Sequence, residues 1–216
     1  MAGGGGRFRP ERRPLFIPVD GPDYASNIVF EGAFTARQCD RIIEAGLALG
    51  ADDALVGTVD DNTTEDAATR IAGAAWIEPD DDTMWIFDKL ATLSQRANRT
   101  WGFDLTGFTE DAQFTRYDRP GAFYDWHQDG LDGDVAVRKL SLVLQLSDPA
   151  DYDGSDLEFF AVNEEHDADD IAEWRATART RGTVVAFPAF EFHRVTPLER
   201  GERFSLVCWI GGPAFR

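Results

Sequence analysis

The chain has 216 residues, 43% hydrophobic and 28% charged, which fits one globular domain with a sizeable core and excludes a disordered polymer. Its 21 Lys+Arg stand against 39 Asp+Glu, a net charge of −18, so its surface repels nucleic acid and anionic lipid, and neither is expected as a partner. Two cysteines, Cys39 and Cys208, are too few for a disulfide framework, and no apolar run is long enough to span a bilayer.

Residues 1–14 combine glycine, arginine and proline and are expected to form a flexible tail, followed by a short strand over 15–19. The start carries no apolar signal-peptide core, so a reducing, cytoplasmic setting is expected. Thr35 with Gln38 three residues later has the pattern of a capping box, and Ile42, Ile43, Ala45, Gly46 and Leu49 carry a helical rhythm on toward Gly50. Residues 59–68 are a polar loop, read as a solvated connection with a lid over a site as its functional alternative. A strand is expected over 74–77. A second helix is expected over 81–101, with Trp85, Ile86, Leu90, Leu93 and Ala97 on one face.

From Asp111 the pattern changes to short strand-like runs separated by turn residues: 113–117, 122–127, 138–146, 155–160, 182–187, 192–195 and 203–210. Lys139 to Leu146 alternates so that four leucines share one face. Cys208 lies in an apolar run and reads as a small core residue. The polar segment 163–180 interrupts the series and contains a predicted helix around 171–178. Helices followed by many short strands predict an α+β fold, a jelly-roll-like barrel core over about 111–212 with N-terminal supporting helices. Residues 15–216 are expected to form a single domain, with no internal repeat.

Only three histidines occur in the chain. His127 and Asp129 stand two apart on a predicted strand, so both side chains can face one point inside a barrel. With His193 from a distant strand they make a set of two imidazoles and one carboxylate, which leaves coordination positions open and suits non-haem Fe(II) better than a closed zinc site. His166 lies among acids and reads as solvated. Arg203 begins the last strand with Ser205 on the same face, and a guanidinium turned into a barrel needs an anion. That anion is either the carboxylate of a co-substrate or one of the many local acids. Tyr124, Trp126 and Phe190 are aromatic and near these residues, as pocket lining or as core.

The run from Arg116 to Asp129 resembles the Tyr-X-X-Gly-X-X-Tyr-X-X-His-X-Asp pattern of the prolyl-4-hydroxylase-like Fe(II)/2-oxoglutarate dioxygenases, with matching spacing from Gly121 to Asp129. Tyr152-Asp153-Gly154-Ser155-Asp156-Leu157 resembles a turn and strand of that family. The end of the chain, from Gly182 through His193 to Arg203, looks very like the bacterial PKHD-type hydroxylase subgroup. The resemblance implies a double-stranded β-helix and His127, Asp129 and His193 as iron ligands. It implies Arg203 as the partner of the distal carboxylate of 2-oxoglutarate. It makes Tyr117, which looks like a family tyrosine that often hydrogen-bonds the co-substrate, and Ser205 further candidate contacts, each with packing in the core as its alternative. It implies Fe(II), 2-oxoglutarate and O₂ as the cofactor set. The implied reaction is hydroxylation of a C–H bond on a prolyl or similar protein or peptide residue, or on a small molecule, with succinate and CO₂ as co-products. Related halogenases lack the carboxylate ligand, so Asp129 implies hydroxylation. A non-catalytic binding module and a zinc hydrolase with Asp125 as its base are the rival readings. The sequence departs from the family pattern in three places. Three residues rather than two separate Tyr117 from Gly121, Ser155 stands where a second glycine is common, and segment 163–180 is longer.

Overall fold

The structure, a computed structural model, describes residues 24–50, 70–131, 133–160, 162 and 167–214. The expected tail, the strand over 15–19, the loop 59–68 and His166 lie outside them.

Helix α1 (Ala36–Ala48) starts as its sequence predicts. The Thr35 hydroxyl accepts from the Gln38 amide at 3.3 Å, and the Gln38 side chain accepts from the Thr35 amide at 3.0 Å, so two orphan donors of the first turn are satisfied. Helix α2 (Met84–Trp101) begins three residues later than expected. The Asp80 carboxylate accepts from the amides of Asp82 and Thr83, and this local turn holds residues 81–83 out of the helix. Its predicted face is buried through Ile86, Leu90, Leu93 and Ala97, with Phe87 added, while Trp85 is only partly buried.

Thirteen strands form two larger antiparallel sheets and a two-stranded pair among the described residues. The major sheet runs in the order β1 (Ile28–Phe30), β10 (Val184–Pro188), β7 (Arg138–Gln145), β13 (Arg203–Gly211), β5 (Ala112–Tyr117) and β3 (Gly73–Ile77), with β4 (Gly107–Phe108) on the far end of β13. The minor sheet runs β2 (Arg70–Ile71), β6 (Phe123–His127), β11 (His193–Val195), β9 (Leu157–Phe159). Strands β8 (Tyr152–Gly154) and β12 (Leu198–Gly201) form the small pair. The two sheets enclose a cavity lined from both sides, the jelly-roll arrangement expected from the sequence. Strands β1, β2, β4, β8 and β12 were not predicted; each has four residues or fewer and shows too short a period to register.

Strict alternation in β5, β7 and β13 gives the major sheet two unlike faces. Leu140, Leu142, Leu144 and Leu146 are fully buried with Phe114, Leu206, Cys208 and Ile210 against α1 and α2. Each such leucine contributes about 1.5–3 kcal/mol of hydrophobic stabilisation. Gln113, Thr115 and Tyr117, Val143 and Gln145, and Arg203, Ser205, Val207 and Trp209 face the other way. Helix α3 (Ala168–Arg179) is longer than the helix expected around 171–178. It is capped by the Asp167 carboxylate and packs Trp174 and Ala178 on Phe159, Val185 and Phe187. Ion pairs from Arg175 and Arg179 to Asp156 and Glu158 tie it to the β8–β9 region. No helix among the described residues is long and apolar enough to cross a membrane.

Candidate metal centre

His127 ends β6 and His193 begins β11, and the two are direct cross-strand partners. Their ring centroids are 4.1 Å apart. Each imidazole meets a backbone carbonyl with its Nδ1, His127 with Asp125 at 2.7 Å and His193 with Glu191 at 2.9 Å. An Nδ1–H that donates there leaves each Nε2 with a free lone pair, the tautomer a metal requires. Asp129 lies just past the end of β6, so strand alternation alone does not aim it. Its amide and that of Gly130 donate to the Ala189 carbonyl at 2.8 and 2.9 Å, and Arg138 donates to its own carbonyl at 3.0 Å. Thus held, its carboxylate lies 3.5 Å from His127 Nε2 and 3.7 Å from His193 Nε2. Ligating atoms of the three residues all lie within 4.8 Å of one another.

The electrostatics suit a cation. Burial works against the Asp129 carboxylate, but His193, His127 and the Ser141 hydroxyl, which donates to it at 2.5 Å, outweigh burial and hold it below the usual carboxylate range. Burial pushes His193 down to about 4, against the pull of Asp129, so its imidazole is neutral at pH 7. A carboxylate and imidazole nitrogens, with hydrogen bonds fixing their orientation from behind, form a donor set that fits Fe(II) with coordination positions left open.

All six residues singled out in the sequence, His127, Asp129, His193, Arg203, Tyr117 and Ser205, line one cavity of about 350 Å³. Arg203 is buried, opposite Tyr117 in register, with its guanidinium 5.3 Å from the Tyr117 ring. Its Nε donates to the Gln145 amide oxygen at 3.1 Å, and its Nη1 is buried with no partner among the described residues. No carboxylate among the described residues pairs with it, so the local salt bridge that the sequence left open is not formed. The hydroxyls of Tyr117 and Ser205 have no hydrogen-bond partner among the described residues and face the same space.

A bulge in β6 corrects the strict-alternation reading. His193 pairs with His127 but Val195 pairs with Tyr124, so β6 carries one residue more than β11 between the two pairings. Tyr124 and His127 therefore share a side and stack with centroids 3.5 Å apart. Asp125 is exposed and caps the Trp126 amide at 2.8 Å, well placed for a turn and away from the cavity. Trp126 packs on Phe160 under Arg194, and Phe190 packs edge-on to Phe103. Of the three aromatics named from the sequence, only Tyr124 lines the cavity. Ser155 adopts φ 51°, a left-handed conformation that explains why glycine suits this position.

Sequence reasoning missed Ser141, Gln145, Gln113, Arg138 and Arg70. Ser141 and Gln145 had a signal, since both fall on the side of β7 opposite its leucines. Arg70 and Gln113 had none, because their meeting depends on how the two sheets close.

Residues 112–211 match the model of the 2OG-Fe(II) oxygenase superfamily. A PKHD-type hydroxylase of Hyphomonas neptunium is 38% identical over 79 residues, 36% of this chain and 31% of that protein. A PKHD-type hydroxylase of Synechococcus elongatus is 37% identical over 101 residues, 45% of this chain and 41% of that protein. The chain thus matches well under half the length of these curated relatives. Among solved structures, a Pseudomonas putida prolyl-4-hydroxylase aligns with TM-score 0.63 at 23% identity, covering 86% of this chain and 92% of that one. A viral collagen prolyl hydroxylase from Paramecium Bursaria Chlorella virus-1 aligns with TM-score 0.59 at 21% identity, covering 86% and 96%. These likenesses establish the fold.

Proposed function

We infer that this chain, whose segment 112–211 belongs to the 2OG-Fe(II) oxygenase superfamily, is a 2-oxoglutarate-dependent Fe(II) hydroxylase. The observation that carries the reading is a single cavity holding three convergent ligating atoms and a buried arginine with no carboxylate partner among the described residues. His127, Asp129 and His193 would hold Fe(II), which when bound supplies the O₂ chemistry that couples decarboxylation of 2-oxoglutarate to hydroxylation of a C–H bond.

The remaining chemistry belongs to side chains of this chain. Arg203 offers bidentate hydrogen bonds to the distal carboxylate of 2-oxoglutarate, and Gln145 fixes its plane without neutralising it. Tyr117 and Ser205 supply hydroxyls beside that carboxylate. Val143, Leu157 and Val195 make part of the wall apolar and keep bulk water from the reacting centre. Asp129 would give the metal a carboxylate ligand where a halogenase leaves room for halide, which favours hydroxylation. The substrate class in keeping with the family is a prolyl or similar residue of a protein or peptide, or a small molecule, in a cytoplasmic setting. The barrel over about 111–212 is the catalytic unit, within a single domain.

A zinc hydrolase needs a base beside the metal. Asp125 is turned away, and Glu110, which does line the cavity, is bound at both oxygens by Arg138 at 2.7 and 2.5 Å. The test is succinate release from 2-oxoglutarate, together with anaerobic titration of Fe(II) and of 2-oxoglutarate. Expected are Fe(II)- and O₂-dependent succinate, loss of metal binding in His127→Ala, and roughly hundredfold weaker 2-oxoglutarate binding in Arg203→Met, about 2.7 kcal/mol. Unchanged metal affinity in the first variant and unchanged co-substrate affinity in the second would sink the proposal.

A further inference from the structure

Among the described residues three arginines line the cavity, and they differ in what neutralises them. Arg138 is neutralised by Glu110. Arg203 has the neutral Gln145 amide as its partner. Arg70, at the head of β2 and half-buried, repeats the second arrangement. The Gln113 amide is satisfied only with its oxygen turned to Arg70, where it accepts from Nη1 at 3.1 Å and Nη2 at 2.5 Å. The Thr115 hydroxyl accepts from Nη2 at 3.5 Å, and the guanidinium carbon lies 4.8 Å from the centroid of the Tyr124 ring. Tyr124 in turn stacks on His127, so Arg70 is one ring removed from the metal centre. Among the described residues its Nε is buried with no partner, and no carboxylate pairs with it.

A glutamine oxygen orients a guanidinium but cannot cancel its charge, and an uncompensated cation is costly in proportion to its burial, which is complete for Arg203 and partial for Arg70, whose Nε is covered. Two such arginine–glutamine pairs in one cavity therefore call for two anions. The two sit at different levels of the sheet. Arg70 spans Gln113 and Thr115, and Thr115 is level with Ser205, two residues along β13 from Arg203, about 7 Å at the usual rise of a strand. Beside Arg70, Trp76 and Trp209 lie 6.1 Å apart, and Trp76 is 41% exposed at the rim, an apolar wall for the body of a ligand.

We propose that Arg70, held by Gln113, receives a carboxylate on the molecule to be hydroxylated, so that the substrate is an acid with its free carboxylate within reach of the metal rather than a neutral internal residue of a chain. This rests on the reading of Arg203 as the partner of 2-oxoglutarate. The carboxylate can belong to a small free acid or to the C-terminus of a peptide.

The test is binding, not turnover. Full-chain protein loaded with Zn(II) in place of Fe(II) and saturated with 2-oxoglutarate is titrated, by ligand-observed NMR, with matched acid and amide pairs: N-acetyl-L-proline against N-acetyl-L-prolinamide, L-pipecolate against its amide, and glycyl-glycyl-L-proline against its C-terminal amide. The acid of at least one pair is expected to bind about tenfold to a hundredfold more tightly than its amide, as a charge-assisted bond provides. Preference confined to the first two pairs identifies a small acid; preference in the tripeptide pair identifies a chain terminus. Arg70→Gln should abolish the preference, and Arg70→Lys, which keeps the charge, should retain part of it. Both variants should keep 2-oxoglutarate affinity within about twofold. No acid preference in any pair at millimolar concentration overturns the proposal. So does an Arg70→Gln variant that loses 2-oxoglutarate as Arg203→Met does, since Arg70 would then serve the co-substrate. An Arg203→Met variant with unchanged 2-oxoglutarate affinity instead overturns the underlying reading.

Discussion

The two faces of the major sheet are made by the same three strands and differ in almost everything else. On β7, Leu140, Leu142 and Leu144 point to the helices, while on the other side Val143 lines the cavity, Ser141 bonds Asp129 and Gln145 bonds Arg203. On β13, Leu206, Cys208 and Ile210 alternate with Arg203, Ser205, Val207 and Trp209. The helix-facing side is closed and apolar, and its burial stabilises the fold. The cavity side keeps polar groups unpaired among the described residues, including the buried Nη1 of Arg203, an arrangement that lowers stability until a ligand satisfies it. A one-residue shift in register would exchange the two sets, so the leucine side also fixes which side chains reach the metal.

The largest effect is expected from damage to the closed face. Leu142→Ala removes a fully buried side chain and should cost about 2–5 kcal/mol, seen as a lower denaturation midpoint. Well below that midpoint its affinity for 2-oxoglutarate should be unchanged, because the side chain does not reach the cavity. A folded variant with impaired binding would show the faces to be coupled. Ser141→Ala strikes the neighbouring residue on the other face. It removes the hydroxyl that donates to Asp129 Oδ2, the oxygen that faces His193, and should weaken metal binding about tenfold with little change in the denaturation midpoint. Metal titration read against thermal melting separates the two variants; a large loss of stability in Ser141→Ala would contradict the division.

Much of this contrast was readable before any fold was known. The four alternating leucines marked the closed face, and the near absence of histidine made His127 and His193 conspicuous. Arg203 was legible as a charge at the start of an apolar strand. What the sequence could not show was the outcome of long-range pairing. The bulge that brings Tyr124 beside His127 exists only because β11 opposes β6, and nothing local in Tyr124 to His127 announces it. The same holds for Asp129, whose direction comes from the Ala189 carbonyl sixty residues downstream, and for Arg70, which meets Gln113 only through sheet closure. Local polar competition explains the late start of α2, where the Asp80 side chain captures amides that the hydrophobic rhythm assigned to the helix.

The smallest expected effect is also the sharpest on the meaning of the cavity face. Gln145 accepts from Arg203 and donates to the Tyr152 hydroxyl at 3.0 Å and the Ser147 carbonyl at 3.2 Å. Gln145→Glu keeps the shape and places a carboxylate on Arg203. The ion pair offsets the lost bond to Ser147, so the denaturation midpoint should stay level or rise. Affinity for 2-oxoglutarate should nonetheless fall about tenfold, roughly 1.4 kcal/mol, because an internal carboxylate now competes for the guanidinium. Gln145→Met removes the acceptor without adding charge and should lose less affinity at some expense of stability. If the methionine variant binds 2-oxoglutarate as poorly as the glutamate variant, Gln145 acts only by orienting Arg203, and an uncompensated charge is not what the cavity face preserves.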